Sequence, residues 1–141
     1  MLESKTAFIT GASAGLGAEF ARQLAAQGYH LILTARRLER LQKLADQLTA
    51  QHGIRVETLP ADLSDPLDVE LLAEKLRSTP DLDLVVNNAG FSVNERFSDG
   101  ELQKHLDMIQ VHVLASLVLA RAALPGLQAR RQGGIINVAS V

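Results

Sequence analysis

Residues 5–28, KTAFITGASAGLGAEFARQLAAQG, predict a β-strand, a glycine-rich turn and an α-helix in succession. The run Lys5–Thr10 is short and apolar, which is typical of a buried strand. Apolar residues then recur at helical spacing over residues 16–27, until Gly28 ends the pattern: Leu16, Phe20, Ala21 and Leu24. The stretch therefore predicts one strand and one helix, joined by a turn rich in glycine.

The same alternation of short apolar runs and longer amphipathic segments continues along the chain. It predicts four more strands, at His30–Thr34, Arg55–Pro60, Asp83–Asn87 and Ile135–Ala139. It also predicts three more helices: Leu38–Gln51, a helix that Asp65 caps and Pro66 begins, and one from Glu101 to about Arg130 with an interruption or kink at Pro125. Such a chain is typical of a doubly wound, Rossmann-like α/β fold, for which we expect a parallel sheet with strand order 3-2-1-4-5.

The leucine patterns predict which helix faces are buried. On the second helix the expected stripe is Leu38, Leu41, Leu44, Ala45 and Leu48, and on the third it is Leu67, Leu71, Leu72 and Leu76. The fifth strand would form one edge of the sheet, yet residues 135–138 carry no charge or proline to protect an edge. We therefore expect residues 1–141 to be a single but incomplete domain.

Composition argues against several classes of function. The 141 residues are 47% hydrophobic and 21% charged, which is typical of a globular domain. A net charge of -2, one tyrosine and no tryptophan argue against nucleic-acid binding. The absence of cysteine excludes disulfides and thiolate metal sites within this sequence. No signal-peptide pattern and no apolar run of about 18 residues occurs, so we expect a cytoplasmic protein with no membrane partner.

The turn TGASAGLG, residues 10–17, lies where a doubly wound fold binds phosphate groups. Gly11 permits a tight turn, Gly15 lets the backbone approach a pyrophosphate, and Gly17 lets the helix pack on the strand. The spacing G-x-x-x-G-x-G differs from the common G-x-G-x-x-G dinucleotide motif. A glycine-rich turn without a ligand is therefore the alternative interpretation.

Other polar groups are predicted at the same edge of the sheet. Asp62 follows the third strand, NNAG at residues 87–90 closes the fourth, and Ser140 follows the fifth. Together with TGASAGLG, these motifs resemble the short-chain dehydrogenase/reductase family, whose members carry T-G-x-x-x-G-x-G, Asp, N-N-A-G and Ser in this order. The resemblance covers the whole chain. It implies an oxidoreductase that transfers hydride between a nicotinamide cofactor and a carbonyl or secondary alcohol.

The resemblance assigns cofactor-binding roles to individual residues. It implies that Asp62 accepts a hydrogen bond from the adenine amine, with a solvated loop acid as the alternative, and that Leu63 makes a backbone contact. Ser13 is expected either at a phosphate or bonded within its own turn, and Asn87 is expected to tie neighbouring strands together. The expected ribose contacts are Asn88, Ala89 and Gly90. The expected phosphate-binding turn is Gly11, Ser13, Ala14, Gly15, Leu16 and Gly17.

The residues after the second strand predict which cofactor binds. An NAD-binding fold places an acidic residue there, whereas an arginine pairs with the 2′-phosphate of NADP(H). This sequence has Ala35 followed by Arg36 and Arg37, so we expect NADP(H). The alternative is that both arginines, with Arg40, belong to a solvated helix start.

The expected catalytic centre is only partly contained in this sequence. The family uses a serine, a tyrosine, a lysine four residues after the tyrosine, and an asparagine on the preceding helix. Ser140 matches the serine, and His112 occupies the asparagine position, where it either joins a proton relay or packs within the helix. Tyr29 is the only tyrosine and no Tyr-x-x-x-Lys occurs, so we expect the 141-residue chain alone to be inactive. A non-catalytic NADP(H)-binding module or sensor is the alternative function.

Two further expectations concern partners. The substrate is not specified beyond a small-molecule carbonyl or alcohol, which residues 92–94 and Ser140 could contact in this sequence. The segment 108–124 is apolar on nearly all sides, and the resemblance implies that this helix builds a homo-oligomer, a dimer. A fully buried helix is the alternative.

Overall fold

The computed structural model describes residues 3–139, so Ser140 lies outside the described residues. In chain order the elements are β1 (Thr6–Thr10), α1 (Gly15–Ala26), β2 (His30–Ala35), α2 (Leu38–His52), β3 (Val56–Pro60), α3 (Pro66–Arg77), β4 (Leu82–Asn87), α4 (Leu102–Ile109), α5 (Ser116–Arg130) and β5 (Gly134–Asn137). A π-helical segment, Gln110–Ala115, joins α4 to α5. The strands form one parallel sheet in the order β3-β2-β1-β4-β5, which confirms the predicted fold class and strand order.

The central strand β1 is buried at every position because helices cover both faces of the sheet. Phe8 is in register with Ile32 on β2 and Val85 on β4, and these side chains pack with residues of α3 and α5. Ile9 and Val86 face the opposite side and pack with residues of α1 and α2. Burial of one large apolar side chain stabilises a fold by roughly 1.5–3 kcal/mol. The carboxyl end of β1, where the glycine-rich turn begins, is thereby fixed in the middle of the sheet.

The buried face of α3 differs from the prediction. Leu67 and Leu71, predicted on the inner face, are 75% and 71% exposed. The Asp65 carboxylate accepts a hydrogen bond from the Leu67 N–H and caps the helix. At about 100° per residue, positions 67 and 71 then fall opposite the residues that are buried, which are Val69, Leu72, Ala73 and Leu76. Leu16 and Leu38 are also exposed and do not belong to the buried stripes of α1 and α2.

The long helical segment is interrupted at residues 110–115 and not at Pro125. α5 continues through Pro125 to Arg130, so an interruption at this proline is wrong, whereas a kink there, the other form of the prediction, stays a prediction. The proline costs α5 one backbone hydrogen bond, and the helix tolerates this loss because its inner residues stay packed on the sheet. A π-turn holds an extra residue per turn. Nothing in the apolar spacing of the sequence indicates where it occurs.

One side of the long helical segment packs on the sheet and the other is exposed. The exposed side, which we call the outer apolar face, consists of Leu102, Leu106, Ile109, Val113, Leu114, Leu117 and Leu124. The alternative of a fully buried helix is therefore wrong for the described residues.

By length and composition alone, Leu102–Arg130 is the one helix within residues 3–139 that could cross a membrane, with a mean hydropathy of 1.5 over 18 residues. The absence of a membrane partner stays a prediction.

Candidate functional site

A cavity of about 590 Å³ opens at the carboxyl ends of the strands. Its lining includes every predicted cofactor-binding residue except Gly17, namely Gly11, Ser13, Ala14, Gly15, Leu16, Arg36, Arg37, Asp62, Leu63, Asn88, Ala89 and Gly90. These residues come from four separate strand ends, which the parallel sheet brings to one edge. The structure thus unites the predicted residues in one place, and their contacts with a cofactor stay a prediction.

The glycine-rich turn, residues 11–17, forms one wall of this cavity. Gly11 and Gly15 have φ angles of +63° and +56°, which side chains other than glycine rarely adopt. The residue before α1 is Ala14, whose side chain makes no hydrogen bond to the first turn. The first N–H groups of α1 therefore lack an acceptor from a capping side chain, at the end of the helix where its dipole is positive. This arrangement can bind an anion such as a phosphate group.

A pair of polar groups that sequence reasoning missed holds this wall against β4. The Thr10 hydroxyl oxygen accepts hydrogen bonds from the N–H groups of Asn88 and Ala89, both at 2.9 Å. The Asn88 amide donates to the carbonyl oxygens of Thr10 and Gly11, at 3.2 and 3.3 Å. We call these four bonds the Thr10–Asn88 clamp. In the clamp, the Asn88 side-chain amide is hydrogen-bonded to the glycine-rich turn. From the sequence, this residue is expected near a ribose. A threonine at the end of a fully buried strand is the signal that could have indicated it.

Gly17 lies behind the cavity and supports the clamp. A Cβ at this position would lie 2.6 Å from the Asn88 amide nitrogen and would overlap the Gly11 carbonyl oxygen. Only glycine leaves room for this close contact between α1 and the turn. The predicted role of Gly17 in close packing is consistent with this geometry, but the contact is with the turn.

Asn87 ties β4 to its neighbour, as predicted. Its amide donates to the Asn137 side-chain oxygen at 2.9 Å and lies 3.4 Å from the Ser116 carbonyl oxygen. Its backbone carbonyl accepts from the Val138 N–H at 3.0 Å. β5 itself spans Gly134–Asn137 and is shorter at its carboxyl end than the predicted strand.

Asp62 is held as an oriented, ionised carboxylate beside the cavity. Its Oδ1 accepts hydrogen bonds from the Ser64 hydroxyl at 2.7 Å and the Ser64 N–H at 3.0 Å. These bonds lower the pKa of Asp62, and the nearby Arg36 charge contributes a smaller effect in the same direction. The Asp62 N–H donates to Asp68 at 2.8 Å, which fixes the turn from the other side. The carboxylate is therefore a hydrogen-bond acceptor at neutral pH.

Three arginines give the same end of the cavity a positive charge. Arg36, Arg37 and Arg40 line the cavity beside Asp62 and are exposed. Within residues 3–139, no carboxylate lies within 4.0 Å of any of their guanidinium groups. Their charges are thus available to an anionic ligand.

His112 lies behind the opposite end of the cavity. Its Nε2 is 2.9 Å from both the N and the O atom of Phe91, and Phe91 is part of the cavity lining. The imidazole therefore contacts backbone within the described residues, which leaves its predicted catalytic role untested.

Tyr29 lies at the amino end of β2, where its hydroxyl donates to Asp83 at 3.0 Å. Burial and this acidic partner raise the pKa of Tyr29.

Comparison with known proteins agrees with this arrangement. A family model described as short chain dehydrogenase matches residues 5–141. An uncharacterised oxidoreductase of Staphylococcus saprophyticus is 34% identical over 141 residues, which cover 99% of this chain and 60% of that protein. The solved bulky-bulky ketone specific alcohol dehydrogenase from Comamonas testosteroni superposes with a TM-score of 0.95 at 29% identity, covering 99% of this chain and 56% of that one.

A second solved structure carries a cofactor. A short-chain dehydrogenase from Sphingobium yanoikuyae in complex with NADPH superposes with a TM-score of 0.93 at 35% identity, covering 97% of this chain and 54% of that one. The chain spans about 60% of the length of the staphylococcal relative and a little over half of the two solved proteins. The match to the family model extends over nearly all 141 residues. The chain therefore belongs to the short chain dehydrogenase family of oxidoreductases.

Proposed function

We propose that this chain is the NADP(H)-binding part of an oxidoreductase that transfers hydride between the cofactor and a carbonyl or secondary alcohol. The observation that carries the proposal is the shared cavity. It joins a glycine-rich turn suited to phosphate, a carboxylate acceptor at Asp62 and the arginines at positions 36 and 37. The complex of a similar protein with NADPH supports the same cofactor.

On this proposal, successive parts of the cavity would bind successive parts of NADP(H). The N–H groups at the start of α1 would hold the pyrophosphate, and the space where a Gly15 side chain would stand is empty of protein atoms. Arg36 would pair with the 2′-phosphate, and Asp62 would accept from the adenine amine. When bound, the cofactor supplies the hydride. On this proposal Ser140 orients the substrate oxygen, and the tyrosine and lysine of the family come from outside these 141 residues.

The test of cofactor choice is titration calorimetry with NADPH and NADH on the full-length protein. We expect NADPH to bind at least about tenfold more tightly, because one charge-assisted phosphate pair contributes about 1.5–3 kcal/mol. Arg36→Ala should remove most of this difference. Arg22→Ala is the matched control, because Arg22 is exposed on α1 and pairs with Glu19. Equal affinities of the wild-type protein for the two nucleotides would refute the proposal.

A non-catalytic NADP(H)-binding module is the second candidate. It is favoured by His112 at the position where the family resemblance expects asparagine, and by the contact of its ring with backbone. The two candidates differ in one measurable respect. A Tyr-x-x-x-Lys after residue 141 of the full-length protein, with Ser140→Ala lowering turnover, supports the enzyme; a protein that lacks the motif supports the module.

We also propose that the outer apolar face forms a homo-oligomer contact. Its seven large apolar side chains are exposed among the described residues. Exposed apolar surface of this kind is typical of protein interfaces. Sedimentation equilibrium of the full-length protein tests the proposal. Leu117→Glu, at an exposed position of α5, should shift the protein toward monomer, whereas Glu19→Gln on the opposite face should not.

A further inference from the structure

A second cavity lies between α3 and α5, on the face of the sheet that these helices cover. Its volume is about 1000 Å³, and we call it the α3–α5 groove. Its lining comes from the last residues of α3, the loop that leads to β4, and one side of α5 over residues 117–130. None of these residues lines the cavity at the carboxyl ends of the strands. The proposed function therefore makes no use of this groove.

The floor of the groove is apolar and the space above it is free. α3 ends at Arg77, and the last turns of α5 lie beside the loop that follows it. Leu82 and Ala122 line the groove and are only 4% and 7% exposed, because they belong to the core beneath it. A Cβ on Gly126 would meet no neighbouring protein atom within 4 Å. The groove therefore has room for a ligand on an apolar base.

Both ends of the groove are closed. At one end, α3 packs against α5 and the π-helical segment. At the other end, the Arg130 side chain crosses from α5 to the sheet, where its Nη1 donates a hydrogen bond to the Leu82 carbonyl oxygen. Residues 117–130 of α5 span roughly 20 Å, at about 1.5 Å per residue. A groove of this length with closed ends fits a small molecule better than a polypeptide segment that continues past it.

One of the three arginines that line the groove has no counter-charge. Arg77 pairs with two glutamates of α3 at 2.9 Å each, and Nη2 of Arg130 lies 3.7 Å from the Glu3 carboxylate. Arg121 is exposed, and within residues 3–139 no carboxylate lies within 4.0 Å of its guanidinium group. The described lining contains no acidic residue. The groove therefore presents one unpaired positive charge beside an apolar floor.

We propose that the α3–α5 groove binds a small amphipathic monoanion, a carboxylate on an apolar chain, through Arg121. A guanidinium group can donate two parallel hydrogen bonds to one carboxylate, and the apolar chain would leave water for the floor of the groove. A neutral ligand would leave Arg121 without a counter-charge, and a ligand with several negative charges would exceed the one charge that is free. The proposal does not depend on the proposed function, because the two cavities share no lining residue.

The first test uses NMR to locate decanoate, a carboxylate on an unbranched alkyl chain, on the wild-type full-length protein. We expect the methyl resonances of Val118 and Ala122, which line the groove, to shift as decanoate is added. The Ala25 methyl group, buried on α1, is the internal control and should not shift. NADPH should not displace decanoate from the groove. Displacement by NADPH, or groove methyl groups that do not shift, would overturn the proposal.

The second test measures binding by titration calorimetry with decanoate and with the uncharged decan-1-ol. The wild-type protein should bind decanoate about tenfold more tightly, as for one hydrogen-bonded charge pair. Arg121→Gln should remove this difference and leave the affinity for decan-1-ol unchanged. Arg22→Gln is the matched control, because Arg22 is exposed on α1. An Arg121→Gln protein that binds decanoate as tightly as the wild type would contradict the proposal.

A third test fills the groove with a side chain. Gly126→Leu should weaken the binding of decanoate and of decan-1-ol by at least about tenfold, because the alkyl chain loses its apolar contacts. Gln128→Leu is the matched control, since Gln128 is exposed on the same helix and does not line the groove. If Gly126→Leu binds both ligands like this control, the groove is not their site.

The groove borders the outer apolar face at Leu117, so a second copy of this chain is the other occupant to exclude. We expect Gly126→Leu to keep the wild-type oligomeric state in sedimentation equilibrium. A shift of this variant toward monomer would show that a second copy fills the groove, and would overturn the proposal. If Gly126→Leu does not fold, the comparison of Arg121→Gln with Arg22→Gln decides it.

Discussion

Two parts of the cavity are built in different ways. At the wall formed by the glycine-rich turn, here called the phosphate end, the Thr10–Asn88 clamp joins residues 78 positions apart, and Thr10 is 1% exposed. At the arginine end, Arg36 and Arg37 are exposed and have no carboxylate within ion-pair distance in residues 3–139. The first end contributes to the free energy of folding as well as to the site. The second end contributes positive charge to the site and little to the free energy of folding.

This difference predicts separate effects on stability and on cofactor choice. Substitutions at the phosphate end should unfold the protein or weaken all nucleotides alike. Substitutions at the arginine end should change the preference between NADPH and NADH and leave stability nearly unchanged. An Arg36→Ala variant with a strongly reduced free energy of unfolding would break the comparison.

The largest expected effect is that of Gly17→Ala. The added methyl group would overlap the Gly11 carbonyl and crowd the Asn88 amide, and neither atom can move without breaking the clamp. We expect a loss of about 3 kcal/mol in the free energy of unfolding in urea, at the upper end of overpacking costs. Gly126→Ala is the matched control, because no protein atom lies within 4 Å of its added Cβ. A Gly17→Ala protein as stable as this control would contradict the proposed packing.

Thr10→Val should have the next largest effect. Valine keeps the shape of threonine but removes the hydroxyl that accepts from two backbone N–H groups. Loss of a shared acceptor in a partly buried site should cost about 2 kcal/mol of unfolding free energy. Urea denaturation would measure it, with Thr49→Val on the exposed side of α2 as control. If both variants lose the same stability, the clamp does not contribute to folding.

The smallest expected effect is at Asp62. Its folded pKa lies below the ordinary value of 3.8, mainly because of Ser64. Because the pKa of Asp62 is lower in the folded protein than in the unfolded chain, ionised Asp62 stabilises the fold at neutral pH. This stabilisation is lost as the pH falls through the folded pKa. Ser64→Ala removes the hydroxyl donor but keeps the backbone donor, so the pKa of Asp62 should rise toward 3.8. The stabilisation that depends on ionised Asp62 should then be smaller, and its loss should be complete at a higher pH.

A carboxyl carbon NMR titration of Asp62 would measure this change. Ser98→Ala is the control, because its hydroxyl donates to Asp99 and lies on a different loop. An unchanged Asp62 titration in Ser64→Ala would show that the Ser64 hydroxyl does not contribute to the lowered pKa.

Much of the fold and the cavity could be predicted from the sequence. The apolar runs at Thr6–Thr10 and Leu82–Asn87 indicate strands because both faces of a parallel sheet are buried. Polar residues that follow such strands then meet at one edge, which is why Asp62 and the arginines line one cavity. These inferences need only local patterns and one topological rule.

The remaining features depend on contacts that no local pattern contains. The Thr10 hydroxyl has a role only because residues 88 and 89 return to it across the sheet. Counting hydrophobic residues alone assigns Leu67 and Leu71 to the core. The cap at Asp65 fixes where α3 begins, and with that start both side chains point to solvent. The π-turn at His112 likewise has no signal in the apolar spacing.

The strand order also has a consequence for protein synthesis. β1 is made first, but one of its two neighbours in the sheet, β4, begins only at Leu82. A ribosome adds about 5–20 residues per second, so Asn88 follows Thr10 by roughly 4–16 s. Throughout that interval one edge of the apolar strand β1 has no partner. This open edge can pair with another chain, so the interval before the clamp closes is when the nascent chain is most exposed to aggregation.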